Sequence, residues 1–144
     1  MTIPAKLSEF LENIDLVSDR TERIDLLIEF AKEFEPINAN EAEVPYPEDH
    51  RVPGCESEAF TWTFQNPDGR LRVEFAIQNP QGMSAKALAQ ILRTTLIGSS
   101  PQEILAIPED IVFKIFGKDI SMGKSMGLTN MIGQIKAQAR TFQE

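Results

Sequence analysis

From residue 35 to residue 57 this chain of 144 residues carries Pro36, Pro45, Pro47 and Pro53 among Glu35, Glu41, Glu43, Glu48 and Asp49, with no sustained helical or strand period. Proline fixes its own φ, removes a backbone donor and pushes the preceding residue toward extended geometry. The stretch therefore separates the upstream part of the chain from the downstream part, and it is predicted to be a loop. Connections beyond about 12 to 15 residues are uncommon in compact domains and are usually functional or disordered.

Upstream, the spacing of Leu7, Phe10, Leu11 and Ile14 predicts a helix over about residues 5 to 16. Asp19 is placed to cap a second helix, with Glu22 in the capping-box position and Ile24, Leu27, Ile28 and Ala31 as its apolar stripe to about residue 34. The two are predicted to pair as an antiparallel hairpin. Downstream the period changes to two. Phe60, Trp62 and Phe64 alternate with Thr61 and Thr63, and Leu71, Val73, Phe75 and Ile77 alternate with polar residues and Ala76. Asn66-Pro67-Asp68-Gly69 supplies turn chemistry, so an antiparallel hairpin with one apolar face is predicted. That face needs helices to cover it.

Helical signals return after the hairpin. Ala85, Leu88, Ala89 and Leu92 share a stripe from Ser84 to about Ile97, and Gly98 marks its end. Ser100, Pro101 and Glu103 fit the N-cap, N1 and N3 places of a short helix, and Pro108 opens another bearing Ile111, Val112 and Ile115. A last helix is predicted from about Ser125 to Phe142, with Leu128, Met131, Ile132, Ile135 and Ala139 inward and Lys136 and Arg140 toward solvent. No internal repeat or second domain is evident; residues 1–144 read as one α+β (α/β) domain, a small antiparallel sheet packed against N- and C-terminal helices.

Hydrophobic content of 42% and charged content of 25% are ordinary for a globular chain. No apolar run approaches the roughly 20 residues that cross a bilayer, and MTIPAKLSEF resembles neither a signal nor a transit segment. A reducing cytoplasm is the expected location, with no membrane partner. A net charge of −8 argues against nucleic acid, whose phosphates require clustered Lys and Arg. A protein partner fits better, although charge of this size also serves plain solubility.

Cys55 is the only cysteine, so an intrachain disulfide and a dithiol motif are excluded and any covalent sulfur chemistry passes through this thiol. Free cysteine often packs as a small apolar side chain. Here Pro53 and Gly54 precede it in RVPGCESEAFTW, which suits a loop tip and an available thiol. Glu56 and Glu58 place negative charge beside the sulfur, which disfavours a thiolate and leaves activation to a partner; both can equally be solvated. His50 invites a Cys–His pair but reads more simply as a surface histidine beside Asp49, and Arg51 is the better electrostatic neighbour. No second histidine exists to build a metal site.

Helical hairpin, long loop, VPGC followed by ExE, aromatic strand, hairpin, SPQEIL and GKSMGL stand in an order that resembles the SufE family over roughly residues 7 to 140. The most specific part is Gly54, Cys55, Glu56 and Ser57, matching GCxS. The resemblance implies a small domain with the fold of iron–sulfur scaffold proteins. It also implies that Cys55 takes persulfide sulfur from a SufS-like cysteine desulfurase and passes it toward an iron–sulfur scaffold such as a SufB-like protein, stimulating the desulfurase. Pyridoxal phosphate belongs to that partner; no cofactor or metal is expected on this chain. Arg51, Gly54, Glu56, Ser57 and Lys124 are the supporting or partner-binding residues.

The chain departs from the family pattern in two places. Ala59 and Phe60 stand where GCxSxVW has valine and tryptophan, with Trp62 two residues on and on the same strand face as Phe60. Gly123-Lys124-Ser125-Met126-Gly127 replaces SRxxG. Lysine keeps the charge of arginine but not its planar fork, so Lys124 either serves the thiol or solvates a helix end. Two other classes remain open: a noncatalytic binding or regulatory protein in which Cys55 is incidental, and a cysteine-dependent hydrolase or transferase acting on a small molecule.

Overall fold

The computed structural model describes residues 2–79, 82–118 and 120–142. Its elements run α1 (Ala5–Asp15), α2 (Arg20–Glu33), β1 (Ala59–Gln65), β2 (Leu71–Ile77), α3 (Met83–Leu96), α4 (Pro101–Leu105), α5 (Ile111–Phe116) and α6 (Met122–Arg140). The architecture is α+β: six helices around one two-stranded antiparallel sheet among the described residues.

Helix α3 is the hub. Eight of its residues are buried, on more than one side of the helix, which makes it an interior element rather than a surface one. That explains a departure from the expected N-terminal hairpin. Helix α2 lies chiefly along α3, and α1 packs on α3 and α5. The first two helices meet through Phe10 and Phe30, edge to face at 5.5 Å, but bury Leu7, Ile14, Leu27 and Ala31 in the common core.

The hairpin differs from expectation in its faces. Its register pairs Phe60 with Ala76, Thr61 with Phe75 and Trp62 with Glu74, so even-numbered positions oppose even-numbered ones. The aromatic row of β1 and the aliphatic row of β2 therefore lie on opposite faces, and both faces are covered. Leu71, Val73 and Phe75 enter the main core, with α3 on β2 and α6 on β1. Phe60, Trp62 and Ala76 form a second cluster with Ile37 and Tyr46, supplied by the long loop. Tyr46 packs at 5.2 Å on Phe60 and 5.3 Å on Trp62. Glu41 anchors the same loop to Arg72, whose guanidinium also contacts Glu74 and lies over the Phe64 ring. The hydrogen bond to Glu41 holds the Arg72 pKa above its usual value.

The 35–57 segment is otherwise irregular as expected, with a single 3₁₀ turn at Glu48–His50 and a cis Val44–Pro45 peptide. It and the α3–α4 link protect the sheet edges: Ile37 donates to the Phe75 carbonyl, Leu71 pairs with Ser99, and Arg51 bridges to Phe60.

Local caps follow the sequence. Asp19 accepts from the Glu22 N–H, and Ser100 with Glu103 completes a reciprocal capping box behind Pro101. Helix α6 starts earlier than expected, at Met122, because Ser121 accepts from the Lys124 N–H as its N-cap. Lys124 therefore sits in the first turn, and Gly127-Leu128 lies inside the helix. Lys136 is not directed simply to solvent either: its amine donates to the Ile107 carbonyl at 2.7 Å and ties α6 to the α4–α5 link, while Arg140 is exposed as expected.

Candidate functional site

Cys55 sits on a short excursion whose base is closed by the Val52 N–H donating to the Ala59 carbonyl at 2.8 Å. Val52 is buried and anchors the entry; the Gln78 N–H donates to the Glu58 carbonyl near the exit. Two residues within it adopt positive φ, Gly54 at 66° and Glu58 at 48°, and Glu58 is the only non-glycine to do so among the described residues. Backbone of that kind costs energy in a non-glycine residue and persists where surroundings determine it. The thiol is half-buried at the edge of the main core.

The floor under the thiol is one face of α6. Gly123, Gly127, Asn130, Gln134 and Gln138 recur at spacings of four, three, four and four, so they share that face. Each meets the Cys55 segment or the strand after it. A Cβ on Gly127 would lie 3.2 Å from Cys55 Cα and 3.4 Å from its sulfur, so a larger residue there would make the Cys55 backbone give way by a few tenths of an ångström. A Cβ on Gly123 would lie 3.4 Å from a Glu56 carboxylate oxygen. The Asn130 amide donates to the Pro53 carbonyl at 2.8 Å, against Gly54. Gln134 donates to the His50 carbonyl and to Thr61 Oγ1, and Gln138 donates to the Thr61 carbonyl.

Beside the thiol opens a cavity of about 300 Å³, lined by Cys55, Glu56 and Ser57, by Met83, Ser84 and Ala85 of α3, and by Gly123, Lys124 and Gly127 of α6. The structure thus brings together four of the six residues singled out from sequence: Cys55, Glu56, Ser57 and Lys124. Gly54 braces the same segment against Asn130. Arg51 is drawn elsewhere, 4.0 Å from Glu58, 3.7 Å from Glu48 and over the Phe60 ring, so it offsets the Glu58 charge instead of lining the cavity. The first turns of α3 and α6 both border the cavity, and their helix dipoles and the Lys124 amine favour negative charge there, opposed by Glu56.

His50 belongs to the scaffold. Its Nδ1 donates to the Thr61 carbonyl at 2.8 Å and its ring stacks on Trp62 at 5.1 Å. Phe60 and Trp62 share a strand face as expected. No three His, Cys, Asp or Glu side chains gather as a metal site among the described residues.

Sequence reasoning missed Gly82 and Asn130, and it named Gly127 only as the closing glycine of the segment that replaces SRxxG, without its contact to Cys55. Gly82 caps α3 where a Cβ would meet Ser57 Oγ at 3.0 Å. The detectable signal was the run of small and amide residues at helical spacing along α6. A Gly127→Ala substitution tests the close approach. It gains up to about 1 kcal/mol of helix propensity and pushes the Cys55 backbone outward, so stability should change little while the thiol reacts severalfold faster with an aromatic disulfide reagent. An unchanged rate would show that the thiol's exposure does not depend on this contact.

Compared with known proteins, residues 8–139 match the family model described as "SufE: Fe-S metabolism associated domain". The chain is also similar to the solution structure of a hypothetical protein from Thermus thermophilus, with 24% identity, a TM-score of 0.76 and 97% of each chain covered, which shows a shared fold. No curated protein matches the chain. No helix among the described residues is long and apolar enough to cross a membrane.

Proposed function

This chain belongs to the SufE family, associated with iron–sulfur metabolism, and on that premise we propose that it accepts and carries sulfur on Cys55. The donor is the persulfide of a cysteine desulfurase and the eventual recipient is an iron–sulfur scaffold. The observation that carries this reading is a single half-buried thiol lining a cavity of about 300 Å³ with a lysine on its wall and, among the described residues, no histidine in that lining and no metal cluster. Such a site suits exchange at sulfur more than hydrolysis, which needs an activated water or a nucleophile–base pair.

The step needs few groups. The Cys55 thiolate attacks the terminal sulfur of the donor's R–S–SH; a new S–S bond forms at Sγ, the donor's S–S bond breaks, and the donor cysteine leaves as R–S⁻. The transferred sulfur keeps its proton and no electrons are gained or lost overall. Lys124 and the two helix N-termini stabilise the negative charge that shifts from one sulfur to another, and Asn130 and Gly127 fix where Cys55 stands. Carbon–sulfur cleavage, with its pyridoxal phosphate, stays with the donor.

Nonreducing intact mass after incubation with cysteine and a desulfurase tests the proposal. One added sulfur, removed by dithiothreitol, is the expected result. No addition from desulfurases proven active on another acceptor would sink it.

A further inference from the structure

A second cavity, about 550 Å³, adjoins that of Cys55, and Met83, Ser84 and Lys124 line both. Residues of α2, α3, α5 and α6 enclose it. Leu27 and Ala87 in its lining are buried, and Ile28, Phe116 and Ile120 are half-buried. The volume lies within the roughly 300 to 1,000 Å³ of small-molecule sites, which are mostly apolar with a few convergent polar groups. Here the polar groups include the hydroxyls of Ser18, Ser84 and Ser121. Among the described residues no Asp or Glu lines the cavity, in a chain with 22 acidic residues.

The three cations of the lining are not equivalent. Arg20 already holds an interaction. Arg23 is fixed by donating to the carbonyls of Ile14, Val17 and Lys114, which orient the guanidinium without supplying a counter-charge. Lys124 bonds to Ser121 only through its backbone N–H, and its amine has no partner among the described residues. A lysine amine is a point charge on a flexible stem of four carbons. Since Lys124 lines both cavities, one amine can serve the thiol or an occupant of the larger space, but not both at full strength.

We propose that the larger cavity binds a small amphipathic acid, and that the bound acid lowers the reactivity of Cys55 by engaging Lys124. The apolar body lies against Leu27, Ile28, Phe116 and Ile120, and the carboxylate pairs with the amine. Charge complementarity and the apolar lining favour this occupant together: a bare anion leaves the buried apolar wall wet, and an uncharged apolar molecule leaves the amine unpaired. With the amine engaged, Glu56 is less opposed on the thiol's side and the thiolate is less favoured. The coupling is reciprocal, so a thiolate at Cys55 weakens the acid's binding by the same factor. None of this rests on the sulfur-acceptor reading, because it concerns the thiol's reactivity whatever its partner.

Octanoate, below its micelle concentration, is a suitable probe for the full chain, with octan-1-ol as the uncharged control. Titration followed by amide NMR shifts should saturate at Leu27, Ala87 and Ile120. Lys124→Gln, at an exposed position, should weaken octanoate about tenfold, the loss of one charge-assisted hydrogen bond, and leave octan-1-ol unaffected. Octanoate should slow alkylation of wild-type Cys55 by the neutral reagent iodoacetamide severalfold and have no effect on the rate in Lys124→Gln. Ile28→Trp, which fills the cavity from a half-buried wall, should abolish both the binding and the slowing. The proposal is overturned if octanoate does not saturate, if Lys124→Gln binds it as wild type does, or if octan-1-ol slows alkylation equally. Inorganic phosphate binding as tightly as octanoate would reduce the site to an anion hole and overturn the choice of ligand. A short Leu- and Glu-rich peptide that binds where octanoate fails would give the cavity to a polypeptide and overturn it too.

Discussion

Cys55→Ser should return a stimulated cysteine desulfurase to its unaided rate while leaving its binding to this chain nearly intact. No other thiol exists to take the sulfur, and a serine hydroxyl is a far weaker nucleophile than a thiolate. The loop geometry does not depend on the sulfur. Its ties are the Asn130 amide to the Pro53 carbonyl, Val52 to Ala59, and Gln78 to Glu58. Loss of turnover with retained affinity therefore separates chemistry from docking. Stimulation that survives in the serine variant would make Cys55 incidental and the chain a noncatalytic activator.

Phe75→Ala should be the most damaging single change in the core. Phe75 is fully buried at the middle of β2, opposite Thr61 and among residues of α3 and the main cluster. Truncation of a buried phenylalanine costs about 3 to 5 kcal/mol through lost burial and the cavity left behind, a large share of the roughly 5 to 15 kcal/mol typical of a domain. Its backbone carbonyl still accepts from Ile37, so the edge contact survives. The midpoint of urea unfolding should fall steeply with little change in slope. A loss below about 1 kcal/mol would mean that neighbours collapse into the space.

What sequence reveals here is what local chemistry decides. The Ser100-Pro101-Glu103 box, the Asp19 cap and the Asn66–Gly69 turn each rest on residues a few positions apart, and each forms as read. The two rows of strand side chains were legible, but which faces coincide depends on the five residues from Asn66 to Arg70 between paired Gln65 and Leu71. Alternation alone carries no parity. The start of α6 was hidden because Gly123 and Gly127 lower helix propensity, while their role is to be small against Glu56 and Cys55. The partners of the N-terminal helices depend on α3, distant in sequence and buried on several sides.

Of the site, Cys55 and its immediate neighbours were legible because composition leaves one thiol and a rare local motif. Lys124 joins them across the fold, whereas Arg51 turns toward Glu48 and Glu58. Gly82, Gly127 and Asn130 act by absence of a side chain or by a bond to a distant carbonyl, and what each one meets lies in another segment of the chain.

The face of α6 that carries Gly123, Gly127, Asn130, Gln134 and Gln138 makes the placement of the thiol a matter of helical phase. An α-helix turns by about 100° per residue, so adding or removing a single residue early in that helix would rotate the glycines away from Cys55 while the later amides kept their hold on Thr61. Substitutions on the exposed side of α6 leave that phase intact, but a change of length between Gly123 and Gln134 uncouples sulfur position from sheet position in a single step. For this protein, spacing along one helix sets where the sulfur stands relative to the sheet.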